Sequence, residues 1–84
     1  NGWYTIKNVG SGKYLQVSYG SASDSANVVI GSNAQKWKLE HVDDDYFTLL
    51  SMYGNYMIDI AMGEDKDGSN VQIYSAYGGE AQQF

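Results

Sequence analysis

The sequence predicts an all-β chain built as two copies of one unit, and three features of it carry that reading. Apolar residues recur as i, i+2 pairs in short runs, Tyr4/Ile6, Leu15/Val17, Val28/Ile30, Phe47/Leu49, Ile58/Ile60 and Val71/Ile73, the period of half-buried strands. The runs lie about ten residues apart and are joined by Gly, Ser and Asp turns, the spacing expected of many short strands. The chain also matches itself at an offset of 43 residues, and a fixed period of that size marks a repeat architecture.

The self-match runs without a gap over most of each copy. Thr5 pairs with Thr48, Gly20 with Gly63, Asp24 with Asp67 and Asn27 with Asn70. Val28 pairs with Val71, Ile30 with Ile73 and Ser32 with Ser75. After Ser75 the second copy gains residues around Tyr77-Gly78-Gly79-Glu80, so the offset becomes 47 and Gln35-Lys36-Trp37 meets Gln82-Gln83-Phe84. The units are residues 1–42 and 43–84, two halves of one small domain.

In chain order, Trp3–Val9 alternates around Tyr4 and Ile6, Gly10–Lys13 reads as a tight turn, and Tyr14–Val17 resumes the alternation. Gly20–Ser25 is a polar loop, Asn27–Ile30 a third strand and Gln35–Leu39 a fourth. Asp43-Asp44-Asp45 reads as a hairpin turn between two apolar segments, after which the second copy repeats the plan. Ten Gly and no Pro suit these turns, and no window has helical spacing of comparable strength.

Composition narrows the function classes. A net charge of −5, with five Lys and no Arg cluster, argues against nucleic acid, whose phosphates are met by Lys and Arg, and against an anionic membrane surface. No apolar run approaches the roughly 20 residues that cross a bilayer, so no membrane insertion is expected. The first residues read as a strand, so any targeting segment is expected to be removed or to lie elsewhere. The absence of Cys excludes disulfides and thiolate zinc sites.

Catalytic and metal motifs fail on inspection. Counting Asp65 as the first position of a calcium loop puts Ala76 at the twelfth, where a bidentate Glu is required. Asp43-Asp44-Asp45 reads as a solvated turn, and His41, the single histidine, has no nucleophile partner motif. No spacing nominates a carboxylate pair for glycoside hydrolysis. Trp3 and Trp37 read as packing residues. No catalytic residue, metal or cofactor is expected.

The repeated pattern is tyrosine or phenylalanine, then in the first copy a Ser-Gly-Lys turn, Leu-x-Val or Ile-x-Ile, an Asp loop, Asn-Val-x-Ile, and Gln-x-Trp or Gln-x-Phe. It resembles the unit of ricin-type β-trefoil lectins, the Gln-x-Trp family that also serves as carbohydrate-binding modules on secreted glycosidases. The resemblance covers nearly the whole chain and implies β-trefoil repeats, two of three units, with the trefoil completed by further sequence or by another chain. It implies a non-catalytic module that binds galactose-like or xylan-type sugars, is secreted, and is accessory to an enzyme or toxin. A β-trefoil protein-interaction or structural domain with decayed sugar sites is the alternative.

The resemblance also nominates a sugar site. In such proteins an Asp after the first core position of the second strand accepts sugar hydroxyls, an aromatic ring stacks on the sugar, and a Gln and an Asn-Gln pair complete the polar set. Carried onto the second copy, these are Asp59, Tyr74 with Tyr77 as a second choice, Gln72 and Gln82, while Ala81 stands at the Asn position. Asp59 and Tyr74 alternate with core positions and are expected to face outward, exposed. In the first copy Gln16, Gly31 and Ala34 replace the Asp, the aromatic and the Asn, and that site reads as lost. Gln35 and Gln82 are expected to brace loops as well.

Overall fold

A computed structural model describes residues 2–18, 23–43 and 45–84. Residues 20–22 of the expected polar loop, with the Gly20/Gly63 pairing, and Asp44 of the acidic turn lie outside the described residues. The strands are β1 (Trp3–Thr5), β2 (Tyr14–Val17), β3 (Val28–Gly31), β4 (Lys36–Asp43), β5 (Tyr46–Ser51), β6 (Tyr56–Ile60) and β7 (Val71–Ser75). All pairings are antiparallel, in a sheet of order β1-β4-β5-β6-β7 and a hairpin β2-β3. Single 3-10 turns follow β6 at Ala61–Gly63 and close the chain at Glu80–Gln82.

The offset of the sequence is also the offset of the ladders. Leu15 faces Ile30 and Gln16 faces Val29 in the first copy, where Ile58 faces Ile73 and Asp59 faces Gln72 in the second. The bridge between Lys7 and Tyr14 recurs as Leu50 with Met57. Tyr4 opposite Trp37 recurs as Phe47 and Phe84, which exchange backbone bonds of 2.6 and 2.8 Å. The boundary at 42/43 falls within the β4–β5 hairpin, whose register shifts between His41 and Asp43.

Besides the β4–β5 ladder, which runs across the boundary, a short backbone pairing joins the units. Ser25 N donates to Ile73 O and Ile73 N to Ala26 O, both at 2.8 Å. Beside it, Asp24 Oδ1 accepts from both the backbone N and the Oγ of Ser75 at 2.8 Å. Asn70 Nδ2 donates to Asn27 Oδ1 at 2.6 Å, between residues 43 apart in sequence.

The core that results is small: Val17, Trp37, Ile58 and Ile73, with Ile6, Leu15, Ala26, Val28, Leu49 and Tyr56 packed against it. Trp37 Nε1 also donates to Leu15 O at 3.1 Å, which satisfies the indole when its ring is buried. The expectation that every strand buries an i, i+2 pair needs correction. Ile73 is 0% exposed but its counterpart Ile30 is 52% exposed; Trp37 is 0% exposed but Phe84 is 41%. Tyr4 and Val71 are exposed too. Alternation decides which face a side chain takes, and burial of that face requires a neighbour. Ile73 has one in the Ser25–Ala26 segment, whereas β3 pairs only with β2 among the described residues.

This asymmetry predicts unequal costs at two equivalent positions. Ile73→Ala is expected to destabilise by about 2–5 kcal/mol, the range for a buried aliphatic truncation. Ile30→Ala is expected to cost under about 1 kcal/mol, as at exposed sites. Urea unfolding of both variants checks this, and equal losses would contradict it.

Candidate functional site

The second unit's site is built on the β6–β7 ladder. Asp59 and Gln72 are directly opposed, and Tyr74, two residues beyond Gln72, stands on the same face of β7. Beyond β7 the chain turns through Tyr77, Gly78 and Gly79. The Tyr77 ring lies so close over Gly79 that a β-carbon there would collide with it. Glycine at 79 therefore sets where that ring rests. After β6 the backbone turns sharply, with Met62 and Gly63 both left-handed at φ 59° and 63°. These elements enclose an open cleft of about 530 Å³, lined by Asp59, Gln72, Tyr74 and Tyr77, by Met62 and Gly63, and by Ser25 of the first unit. Its volume is that of ordinary small-ligand sites.

Asp59 is buried, 4% exposed, which corrects the expectation of an exposed carboxylate. It does point away from the Ile58 core, but two amides cover it. Gln72 Nε2 donates to Oδ1 at 3.2 Å and Gln82 Nε2 to Oδ2 at 3.0 Å. A buried carboxylate needs such partners, and each oxygen keeps a further lone pair for another donor. Gln72 is buried beside it, while Tyr74 and Tyr77 present exposed rings.

Gln82 has no exposed surface and uses its whole amide inside the protein. Its Oε1 accepts from Tyr77 N at 3.1 Å and Gly78 N at 2.9 Å, and its Nε2 also donates to Ser75 O at 3.1 Å. With both donors engaged and two bonds accepted, the Gln82 amide is fully committed. It holds Asp59 and the Tyr77 loop in place. Gln83 Nε2 secures the same loop on Gly78 O at 3.0 Å.

The first unit shows what the same frame does without the Asp. The Gln16 side chain folds over Gly31, leaving no room there for a β-carbon, and its Oε1 accepts from Asn33 N at 3.0 Å. The space of the second unit's cleft is thus filled by the chain itself. Gln35, the counterpart of Gln82, accepts from Val17 N at 2.8 Å, but its Nε2 is buried without a partner among the described residues. The reason is local: Gln82 Nε2 has the Asp59 carboxylate to donate to, and position 16 carries no carboxylate.

Of the residues expected from sequence, Asp59, Gln72, Tyr74, Tyr77 and Gln82 come together, four in the cleft wall and Gln82 behind it. Sequence reading missed Ser25, Met62 and Gly63. The pairing of Ser25 with Gly68, both left-handed at φ 70° and 87°, was a usable signal for a special turn. No alternation pattern could have said that this turn reaches the neighbouring unit's site.

Because a buried unpaired donor costs about 1–3 kcal/mol, Gln16→Asp is expected to raise stability by about 1 kcal/mol. It supplies Gln35 with an acceptor and reopens the space over Gly31. Chemical denaturation measures this, and a loss of stability would contradict the account of the orphaned amide.

Comparison with known proteins agrees with this geometry. Residues 1–84 match the family described as ricin-type beta-trefoil lectin domain-like. Among solved structures, the chain is similar to ThreeFoil, a designed 3-fold symmetric protein, at 36% identity and a TM-score of 0.91, covering 99% of this chain and 62% of that one. It is also similar in fold to the Macrolepiota procera ricin B-like lectin in complex with lactose, at 23% identity and a TM-score of 0.81, covering 94% and 58% of the two chains. It thus spans about three fifths of the length of either structure. No curated protein sequence matches it. With its two units superposing on β-trefoil proteins and its whole length matched by the family pattern, the chain belongs to the ricin-type β-trefoil lectin-like family.

Proposed function

We propose that the second unit's cleft binds a sugar, galactose-like or xylan-type, as a non-catalytic lectin site. One observation carries this reading. A buried carboxylate, fixed by two glutamine amides, lies at the base of a cleft whose wall is two exposed tyrosine rings. A pyranose has the complementary surface: hydroxyls that donate to Asp59 and a C–H face that lies against Tyr74 or Tyr77. Gln72 adds its side-chain amide to the cleft lining, and Gln82 acts through Asp59 by holding it. The similarity in fold to a lectin in complex with lactose supports the same class of ligand.

The non-catalytic part of the reading rests on the same lining. Asp59 is the one carboxylate among the described residues of the cleft wall, whereas glycoside hydrolysis generally uses two. One small open site binds weakly, and such modules gain strength when sites are linked. A secreted module accessory to a glycosidase, protease or toxin is the setting that the family resemblance supports.

A protein-interaction or structural role has its own observation: Gln16 fills the first unit's site, and Ala81 stands where the resemblance expects Asn. The two readings part at Asp59. On the lectin reading Asp59→Asn weakens binding of lactose or a xylo-oligosaccharide at least tenfold, since hydrogen bonds to charged groups contribute about 1.5–3 kcal/mol. The shape is unchanged, but one glutamine donor loses its acceptor at a cost of about 1–3 kcal/mol, so binding is compared below the melting point of the variant. Calorimetric titration with a thermal melt of each protein tests this. Unchanged binding would move the site elsewhere, and no binding by the folded parent chain would favour the interaction role.

A further inference from the structure

One wall of the second unit's cleft comes from the first unit, and the backbone there is unusual. Asn27 bridges Gln72, Ile73 N donates to Ala26 O, and Ser25 N donates to Ile73 O. Ser25 and Ala26 therefore both oppose Ile73, a β-bulge whose first residue is left-handed, a place ordinarily held by glycine. The equivalent residue of the second unit is a glycine, Gly68 at φ 87°, whereas Ser25 takes φ 70° with a side chain attached. Ala26 packs against the core, and the extra residue turns Ser25 the other way, into the cleft. The Ser25 side chain is exposed there and its hydroxyl makes no hydrogen bond among the described residues. Met62, at φ 59°, lines the same cleft, so both non-glycine residues with left-handed backbone among the described residues stand at this one site. Backbone strain of this kind collects at ligand clamps.

We propose that Ser25 makes this cleft a two-ring site, a reading that rests on the sugar-binding proposal above. Asp59 holds one pyranose and the Ser25 hydroxyl meets the next, so the ligand is a disaccharide or a longer chain. Distance supports this. Asp59 is on β6, Gln72 and Tyr74 are on β7, and Ser25 is on the segment paired to β7 from its other side. The backbones of Asp59 and Ser25 thus lie two strand spacings apart, about 10 Å, wider than one pyranose ring and within the span of two joined ones. Volume agrees: allowing each of its dozen non-hydrogen atoms the roughly 30 Å³ of a water molecule in the liquid, one hexose takes up about two thirds of the 530 Å³. The exposed Tyr74 ring lies between the two positions, where a sugar chain crosses from one to the other. A serine hydroxyl both donates and accepts, so it meets a sugar hydroxyl in either orientation. The turn itself has no use for that hydroxyl, since glycine serves at the equivalent position 68. A ligand of this length touches both units at once.

Calorimetric titration of galactose against lactose, and of xylose against xylobiose, tests this on the chain and two variants. In whichever pair binds, the disaccharide is expected to bind about three- to tenfold tighter than its monosaccharide, the range that one neutral hydrogen bond supplies. Ser25→Gly, which suits the left-handed backbone, is expected to raise the melting point and to bring that preference close to one. Ser25→Ala, which keeps the backbone strain and lacks the hydroxyl, is expected to lose the preference as well. Equal binding of the two ligands by the parent chain, or a preference that survives in either variant, overturns the inference and leaves the lectin reading standing. An equal loss for monosaccharide and disaccharide in Ser25→Gly assigns Ser25 to shaping the whole cleft and also overturns it. A folded parent chain that binds neither pair overturns the lectin reading, and this inference with it.

Discussion

The pairing of Ser25 and Ala26 with Ile73 ties the two units together at a second place, away from the β4–β5 ladder that also crosses between them. It consists of two backbone hydrogen bonds, with the Asp24–Ser75 clamp beside it. Its first effect is on the core, since the same segment covers Ile73 and so gives four buried apolar residues a closed environment. Its second effect is on the site. The turn that begins the pairing carries Ser25 to the wall of the other unit's cleft. A unit of this kind cannot bury its apolar face alone.

Within the site, the division of labour follows from hydrogen-bonding capacity. Gln82 is saturated by protein partners and fixes both Asp59 and the loop that bears Tyr77. Asp59 is half-satisfied, buried and aimed into a cleft. Holding a carboxylate in place before a ligand arrives removes the cost of ordering it on binding. The first unit supplies the control. When Gln replaces the Asp, the cleft fills, and the bracing glutamine Gln35 is left with a buried donor that meets no acceptor among the described residues.

Much of this was legible in the sequence, and what was not has a physical cause. Local alternation placed β2, β3, β5, β6 and β7 closely, and the offset of 43 that pairs the two copies in sequence also relates the ladder of one copy to that of the other. Strand ends were less legible: β1 stops at Thr5, short of the expected Val9, and β4 runs on to Asp43, past the expected Leu39. Burial was misjudged in both directions. Ile30 alternates like a core residue but has no neighbour, while Asp59 alternates like a surface residue and is covered by two long amides from β7 and the last turn. Burial is a property of what packs from elsewhere, and period-2 patterns record only which way a side chain points. The contribution of Ser25 was hidden for the same reason.

The central claim is that the Asp59 cleft, and not its filled counterpart, takes a sugar. Titrating the isotope-labelled chain with lactose or xylo-oligosaccharides, read by amide NMR, tests it most directly. The account predicts saturable shifts in the side-chain amide of Gln72 and in the backbone of Ser25, Met62, Gly63, Tyr74 and Tyr77. Asn33 and the side-chain amide of Gln16 should stay still. Shifts centred on the first unit, or a folded chain whose spectrum does not respond to either sugar, would contradict it.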